Sequence, residues 1–336
     1  MIFQHNISLR KFNTFGIEAK AEHFASVAST EDIIELLDNK EVDHRKLFVL
    51  GGGSNILLTR DLTGTVLKNE IPGIDLVAED GEHVYVKAGA GINWHSFVQY
   101  CLEHNYAGVE NLALIPGNVG ASPMQNIGAY GVELKDVFNS LETLHIKDKQ
   151  VVTFTKDACK FGYRDSIFKN EYRNQFIITS VTFALLKKPV FQTSYGALQQ
   201  ELDKANVEIS IQSIAAAVMR IRRSKLPDPT VIGNAGSFFK NPTVTDAHFN
   251  ELVKASSGLS GFKSDQGYKL AAGWLIEQCG WKGYRRGDAG CHAQQALVLV
   301  NYGRASGNEI VALSKEVIES VQRKFNIVLE TEVNII

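Results

Sequence analysis

Apolar and polar positions change their period several times along the chain, and those changes mark its elements. In STEDIIELLDNK, Ile33, Leu36 and Leu37 share one helical face, and Ser29 with Asp32 fits a capping box. KLFVL then reads as a strand, followed by Gly51-Gly52-Gly53-Ser54-Asn55. From about residue 64 the texture turns to strands. TGTVLK, HVYVKAGAG, SLETLHIKDKQVVTFT and FIITSVTFALLKK show short apolar runs, some alternating with period two. One helix, around FVQYCLEHN, interrupts them.

SIQSIAAAVMRIRRSKL reads as a helix that must stop before Pro227, because the residue preceding a proline is pushed out of the helical region. The proline pair in LPDP is therefore the best boundary candidate. Beyond it, NEIVALSKEVIESVQRKF carries a stripe of Ile310, Leu313, Val317, Val321 and Phe325, the signature of a long amphipathic helix. NIVLETEVNII closes the chain as an apparent strand. The division expected is residues 1–65 joined by a terminal strand 326–336, then 66–225, then 226–325.

At 336 residues the chain exceeds one ordinary core, which agrees with several domains. A net charge of -2 gives no whole-protein attraction to nucleic acid or an anionic membrane, so an anionic ligand needs a local cluster of cations and N–H groups. The first 20 residues lack a basic segment followed by an apolar stretch, and no later run approaches a membrane span. Cys101, Cys159, Cys279 and Cys291 are scattered, which suits reduced thiols and a cytoplasmic setting. The histidines make no HxH, HxxxH or HExxH spacing, and no metal is expected. GxSxG is absent too.

Three glycine-bearing segments hold the candidate chemistry: VLGGGSNILL, VKAGAGINWH and IPGNVGASPMQNIGAYG. Small residues in succession let backbone N–H groups converge on an anion, which suits a pyrophosphate. Any one loop alone reads as well as a tight turn; three within 80 residues make a dinucleotide site the better reading. The site is not of the Rossmann kind. GGGSN leads into ILLT, another strand, AGAGINW lacks the third glycine, and no GK[ST] follows.

These segments, followed by FGYRDS, GNAGSFFKNP and the LETEV tail, stand in an order that resembles the UDP-N-acetylenolpyruvoylglucosamine reductases. The resemblance runs from NTFG near the start to the end of the chain. It implies an α+β fold of the FAD-binding vanillyl-alcohol-oxidase type (PCMH-type), with two α+β domains holding non-covalent FAD and a third over the substrate. It also implies NADPH as hydride donor. By that likeness Gly51, Gly52, Gly53, Ser54 and Asn55 cradle the pyrophosphate. Gly117, Asn118, Gly120, Ala121, Ser122, Gln125, Asn126 and Gly128 line the flavin.

The implied reaction adds hydride to an enolpyruvyl double bond conjugated to a carboxylate, which calls for a cation on the carboxylate and a proton donor beside the neighbouring carbon. Arg164 in YRDS matches the family's arginine, Ser237 in GNAGSFFKNP its proton donor, and Glu332 its carboxylate, with Glu330 the register alternative. Lys225, Asn241, and Gln294 or Gln295 match contacts to a UDP-sugar, with Arg222 a further candidate. The RIRRSK cluster reads equally as the solvated end of a helix. Tyr195 in TSYGAL resembles the tyrosine that one subclass carries on a closing loop. A monomer in the cytoplasm, without nucleic-acid or membrane partners, completes the expectation. Sugar or alcohol oxidases of the same fold, and a non-catalytic flavin-binding module, are the readings it competes with.

Overall fold

The computed structural model describes residues 2–264 and 266–336, and the chain packs as two compact units. The first takes the chain up to Ile7, then Lys20–Gly53 and Leu62–Ser224. The second takes Ser8–Ala19, Ser54–Asp61 and Lys225–Ile336.

Two sheets of opposite character build the first unit. In one, Ile2–Ser8, Lys20–Val27, Leu62–Asn69 and Leu47–Leu50 lie side by side in that order. Lys20–Val27 and Leu47–Leu50 both run parallel to the central Leu62–Asn69. Parallel strands need a crossover, and helix Thr30–Asp38 supplies it, burying Ile33, Leu36 and Leu37 against Ala25, Val27 and Leu67. Ser29 caps this helix by accepting the Asp32 N–H (3.0 Å), and Asp32 accepts from Ala28, so the returning half of the capping box is displaced by one residue.

The other sheet is antiparallel, ordered Val151–Thr155, Phe138–His145, Phe176–Leu186, His83–Gly89 and Ile74–Glu79. Its inner face and helices Trp94–Glu103, Gly196–Ala205 and Ile211–Lys225 enclose a core around Trp94, Phe97 and Phe183, with ring centroids 4.4–5.9 Å apart. Helix Ile211–Lys225 ends two residues before Pro227, as the proline requires.

In the second unit, helix Gly307–Phe325 packs on strands Ala289–Cys291 and Leu299–Asn301 and buries all five residues of its stripe. A complete capping box of Ser306 and Glu309 starts the helix. Gly307 has no room for a side chain: a Cβ there would stand 1.8 Å from the Leu58 carbonyl oxygen. Asn13, 6% exposed, closes the NTFG turn by bonding the carbonyls of Leu9 and Ile17 and the Ile17 N–H. The last strand, Asn334–Ile335, pairs in parallel with Ile56–Leu57. No helix among the described residues is long and apolar enough to cross a membrane.

Candidate active site

All three glycine loops meet in the first unit. Asn118 donates Nδ2 to the Gly91 carbonyl (2.9 Å), Val119 N–H to Ile92 (2.8 Å) and Gly120 N–H to Ala90 (3.0 Å). A Cβ on Gly52 would lie 2.9 Å from both the Gly117 Cα and Asn118 Oδ1, and one on Gly120 would lie 2.5 Å from the Ala90 Cβ. Backbone therefore touches backbone where side chains would hold it apart. Gly117, at φ +115°, adopts a conformation reserved for glycine. Lys68, which sequence reasoning passed over, donates Nζ to the Gly51 carbonyl (2.8 Å), and burial lowers its pKa against the opposing pull of Glu70. Such a cradle of amides with a nearby ammonium fits a pyrophosphate.

Not every loop residue turns outward. Ser122 is buried and donates its hydroxyl to the Val119 carbonyl (2.6 Å). Asn126, fully buried and left-handed at φ +43°, donates Nδ2 to Gly162 O (3.0 Å) and Glu133 Oε2 (3.1 Å), and accepts from Lys135 N (3.0 Å). Gln125 is half-buried and Ala121 exposed. Gly128 opens a hairpin, Gly128–Ala129 against Val132–Glu133, whose two-residue turn Tyr130-Gly131 has φ of +48° and +86°.

Around that hairpin stand the cations. Arg164, itself left-handed at φ +54°, donates Nη2 to the Gly128 carbonyl (2.6 Å). Ser166 ties the same loop to Met124 O (2.7 Å). Arg222 donates Nε to Leu114 O (3.2 Å) and, among the described residues, makes no ion pair. Burial lowers its pKa, Tyr130 opposes, and the like charge of Arg164 adds to the lowering. An arginine remains charged regardless. Two half-buried guanidiniums within electrostatic reach of each other concentrate positive charge beside the hairpin, an arrangement suited to an anion. Tyr130 faces Tyr195 edge-on at 5.5 Å, and burial raises its pKa. Tyr195 itself is 45% exposed at the start of helix Gly196–Ala205. His95 accepts the Leu114 N–H on Nδ1 (3.2 Å), and burial followed by Arg223 and Arg222 lowers its pKa, so its ring is held neutral. Tyr130 and His95 gave no sequence signal beyond lying in or beside the glycine segments.

In the second unit, residues 330–332 pair antiparallel with 238–240. Phe239 bridges Thr331, Lys240 N donates to Glu330 O (2.9 Å), and Glu332 N donates to Phe238 O (2.8 Å). That pairing brings Glu332 beside the residue that follows Ser237. Phe238 and Phe239, 0% and 1% exposed, anchor the serine loop, and Gly236 at φ +69° makes its turn. Asn55 reaches the same place, donating Nδ2 to Glu332 O (3.2 Å) while its own carbonyl accepts from Asn334. Glu330 is the exposed partner of Lys240 (3.1 Å), whereas Glu332 is half-buried.

The remaining candidates divide. Asn241 spends its oxygen on the first N–H of helix Ala272–Gln278 (3.0 Å, from Ala272). Gln295 is half-buried and accepts the Leu297 N–H (3.4 Å), while Gln294 is exposed. Lys225 ends its helix exposed, with no side-chain partner among the described residues.

A family profile described as the FAD binding domain matches residues 21–155. One described as the UDP-N-acetylenolpyruvoylglucosamine reductase C-terminal domain matches residues 228–336. The UDP-N-acetylenolpyruvoylglucosamine reductase of Flavobacterium johnsoniae is 49% identical over 339 residues, covering 100% of both chains. The chain belongs to the UDP-N-acetylenolpyruvoylglucosamine reductase family. The reductase of Amoebophilus asiaticus is 48% identical, again over 100% of both chains. The crystal structure of the Thermus caldophilus reductase covers 99% of this chain and of its own at a TM-score of 0.68 and 24% identity, so the reductase fold is shared throughout. It is the FAD-binding α+β fold of the vanillyl-alcohol-oxidase type, with the parallel and antiparallel sheets described above.

Proposed function

We propose that the protein is an oxidoreductase that reduces UDP-N-acetylenolpyruvoylglucosamine to UDP-N-acetylmuramate, with FAD as cofactor and NADPH as hydride donor, in peptidoglycan synthesis. The observation that supports this reading is the backbone pairing of 238–240 with 330–332, which draws the segment that follows Ser237 and the segment that carries Glu332 together within the family's own C-terminal domain. Bound FAD supplies the hydride relay. The glycine loops and Lys68 hold its pyrophosphate, a role supported by the backbone contacts that exclude a side chain at Gly52 and Gly120.

The chain's own residues supply position, field and proton. Hydride addition at one carbon of the enolpyruvyl double bond leaves an electron pair on its neighbour, delocalised onto the carboxylate. Arg164 holds that carboxylate as negative charge builds, and Arg222 adds a second positive charge to the same surroundings. Ser237 donates its hydroxyl proton to the neighbouring carbon, so that one hydride and one proton saturate the bond. Glu332 keeps the serine oriented. Lys225, Asn241 and a glutamine of the HAQQ segment contact the UDP portion, and Tyr195 closes over it, excluding water from the hydride. The enzyme is read as a cytoplasmic monomer with no nucleic-acid or membrane partner.

The test separates the half-reactions. Ser237→Ala should bind FAD and be reduced by NADPH at close to the wild-type rate, because no proton reaches the ether in that step. Oxidation of its reduced flavin by the enolpyruvyl substrate should slow by about 10²- to 10⁴-fold. Stopped-flow absorbance at the flavin band reads each half alone. Equal slowing of both halves refutes the proton-donor role, and a wild-type enzyme whose NADPH oxidation ignores the substrate refutes the function.

A further inference from the structure

Strand Ile2–Ser8 is the edge of the first sheet and lies beside Lys20–Val27. Side chains alternate along a strand, so Phe3 and His5 share one face. His23 meets both across the pair, with ring centroids 5.3 Å from Phe3 and 5.1 Å from His5. Glu41 arrives from the turn after helix Thr30–Asp38, where Asn39 Oδ1 accepts its N–H (2.9 Å). One ring nitrogen of each histidine and one carboxylate oxygen of Glu41 lie within 4.8 Å of one another. A second observation is independent of that spacing. His23 Nδ1 is buried and makes no hydrogen bond within the described residues. Such a buried nitrogen is costly to leave unsatisfied and calls for an explanation. Nor does His5, His23 or Glu41 form an ion pair there.

We propose that His5, His23 and Glu41 form a binding site for a divalent cation of the zinc class, with water completing the coordination. Two imidazoles and one carboxylate suit zinc, whereas magnesium and calcium require oxygen donors. Tetrahedral ligands about 2.0–2.2 Å from a common ion stand about 3.3–3.6 Å apart. From separations within 4.8 Å, the exposed His5 and Glu41 side chains reach that spacing by rotamer adjustment, with no movement of the strands. The ion would pin the edge strand to the turn that follows the first helix. None of the three residues belongs to the candidate active site. The histidines are 18 positions apart in sequence and meet only because their strands are neighbours, so spacing motifs do not reveal them.

Calorimetric titration of Zn²⁺ into the tag-free, FAD-loaded protein, first treated with chelator, tests the site. One saturable site per chain is expected, together with a rise in thermal midpoint and slowed amide exchange over residues 2–8. His5→Asn and Glu41→Gln, both at exposed positions that tolerate change, should each weaken binding by at least about tenfold. They should also abolish the slowed exchange. Mg²⁺ at the same concentrations should do neither. Binding that is absent, that survives both substitutions, or that Mg²⁺ reproduces overturns the proposal.

Discussion

Asn126 offers the sharpest division between holding a cofactor and holding the protein. It is fully buried and makes three hydrogen bonds, two through Nδ2 and one through Oδ1. Asn126→Ala removes all three. The two neutral bonds are worth about 1 kcal/mol each and the one to the Glu133 carboxylate about 2 kcal/mol. Alanine at φ +43° adds about 1 kcal/mol, since asparagine tolerates the left-handed region better. The sum, about 5 kcal/mol, corresponds to a fall in thermal midpoint of about 10–20 °C for a unit of this size. Through Gly162 the loss reaches the turn that carries Arg164, and a displacement near 1 Å of a positioning group costs about 10²-fold in rate. The expected result is a flavin content near one per chain, normal reduction by NADPH, and about 10²-fold slower oxidation of the reduced flavin by substrate. Asn126→Asp combined with Glu133→Gln reverses donor and acceptor across the 3.1 Å contact and should recover part of the midpoint. Loss of FAD from most of the protein, with the fraction that keeps it oxidised by substrate at the wild-type rate, would refute the reasoning, because Asn126 would then be serving the flavin.

Two further outcomes follow from burial. Glu110 is 3% exposed, and burial raises its pKa above the ordinary 4.5 despite N–H bonds from its own turn. A raised carboxyl pKa gives stability that is present below pH 4.5 and lost as pH climbs through the raised value. Glu110→Gln should therefore match the wild type at low pH and gain thermal midpoint over it as the pH rises; a pH-independent difference would refute this. Burial pushes the Cys159 and Cys291 thiols up to about 12 and raises Cys101 as well, while Cys279 is half-buried. Native protein should thus react with Ellman's reagent at Cys279 alone, and prompt reaction of a second thiol would refute the packing.

What the sequence made legible is what local physics controls. The stripe from Ile310 to Phe325 is buried throughout because a 3.6-residue period admits few other arrangements. The strand Ile74–Glu79 escaped, since its side chains are almost all exposed and leave no alternation to read. Helix Gly196–Ala205 escaped for the same reason, with only Leu198 and Leu202 buried. The glycine loops were visible as clusters of small residues, but their mutual contact was not, because Gly52 and Gly117 meet through tertiary packing. Equally hidden was the excursion Ser8–Ala19, which packs with the second unit although strands of the first flank it in sequence. Of the cations, Arg164 was found through its motif, whereas RIRRSK left Arg222 undecided. Its burial and its bond to the Leu114 carbonyl, with no ion pair among the described residues, separate it from a solvated helix end.

Backbone strain points to the same residues. Among described residues other than glycine and asparagine, positive φ occurs at Leu114, Tyr130, Lys149, Lys160 and Arg164. Lys149 and Lys160 occupy the turns that follow strands Phe138–His145 and Val151–Thr155. The other three surround the arginines: the Leu114 carbonyl accepts Arg222 Nε, Tyr130 lies within the electrostatic reach of Arg222, and Arg164 is one of the pair. Each left-handed residue of this kind costs about 1–2 kcal/mol, a large share of a typical net stability of about 5–15 kcal/mol. Such conformations persist where the surroundings over-determine them. Asn111, 1% exposed, clamps the Tyr130 carbonyl (2.9 Å), His95 accepts the Leu114 N–H, and Lys169 donates to the Arg164 carbonyl (3.2 Å). Those clamps act on main-chain atoms. The strain is thus concentrated around two like charges that lie within electrostatic reach of each other. On the proposed mechanism, a relaxed backbone would let them separate, and the field on the substrate carboxylate would have to be rebuilt at each turnover instead of standing ready.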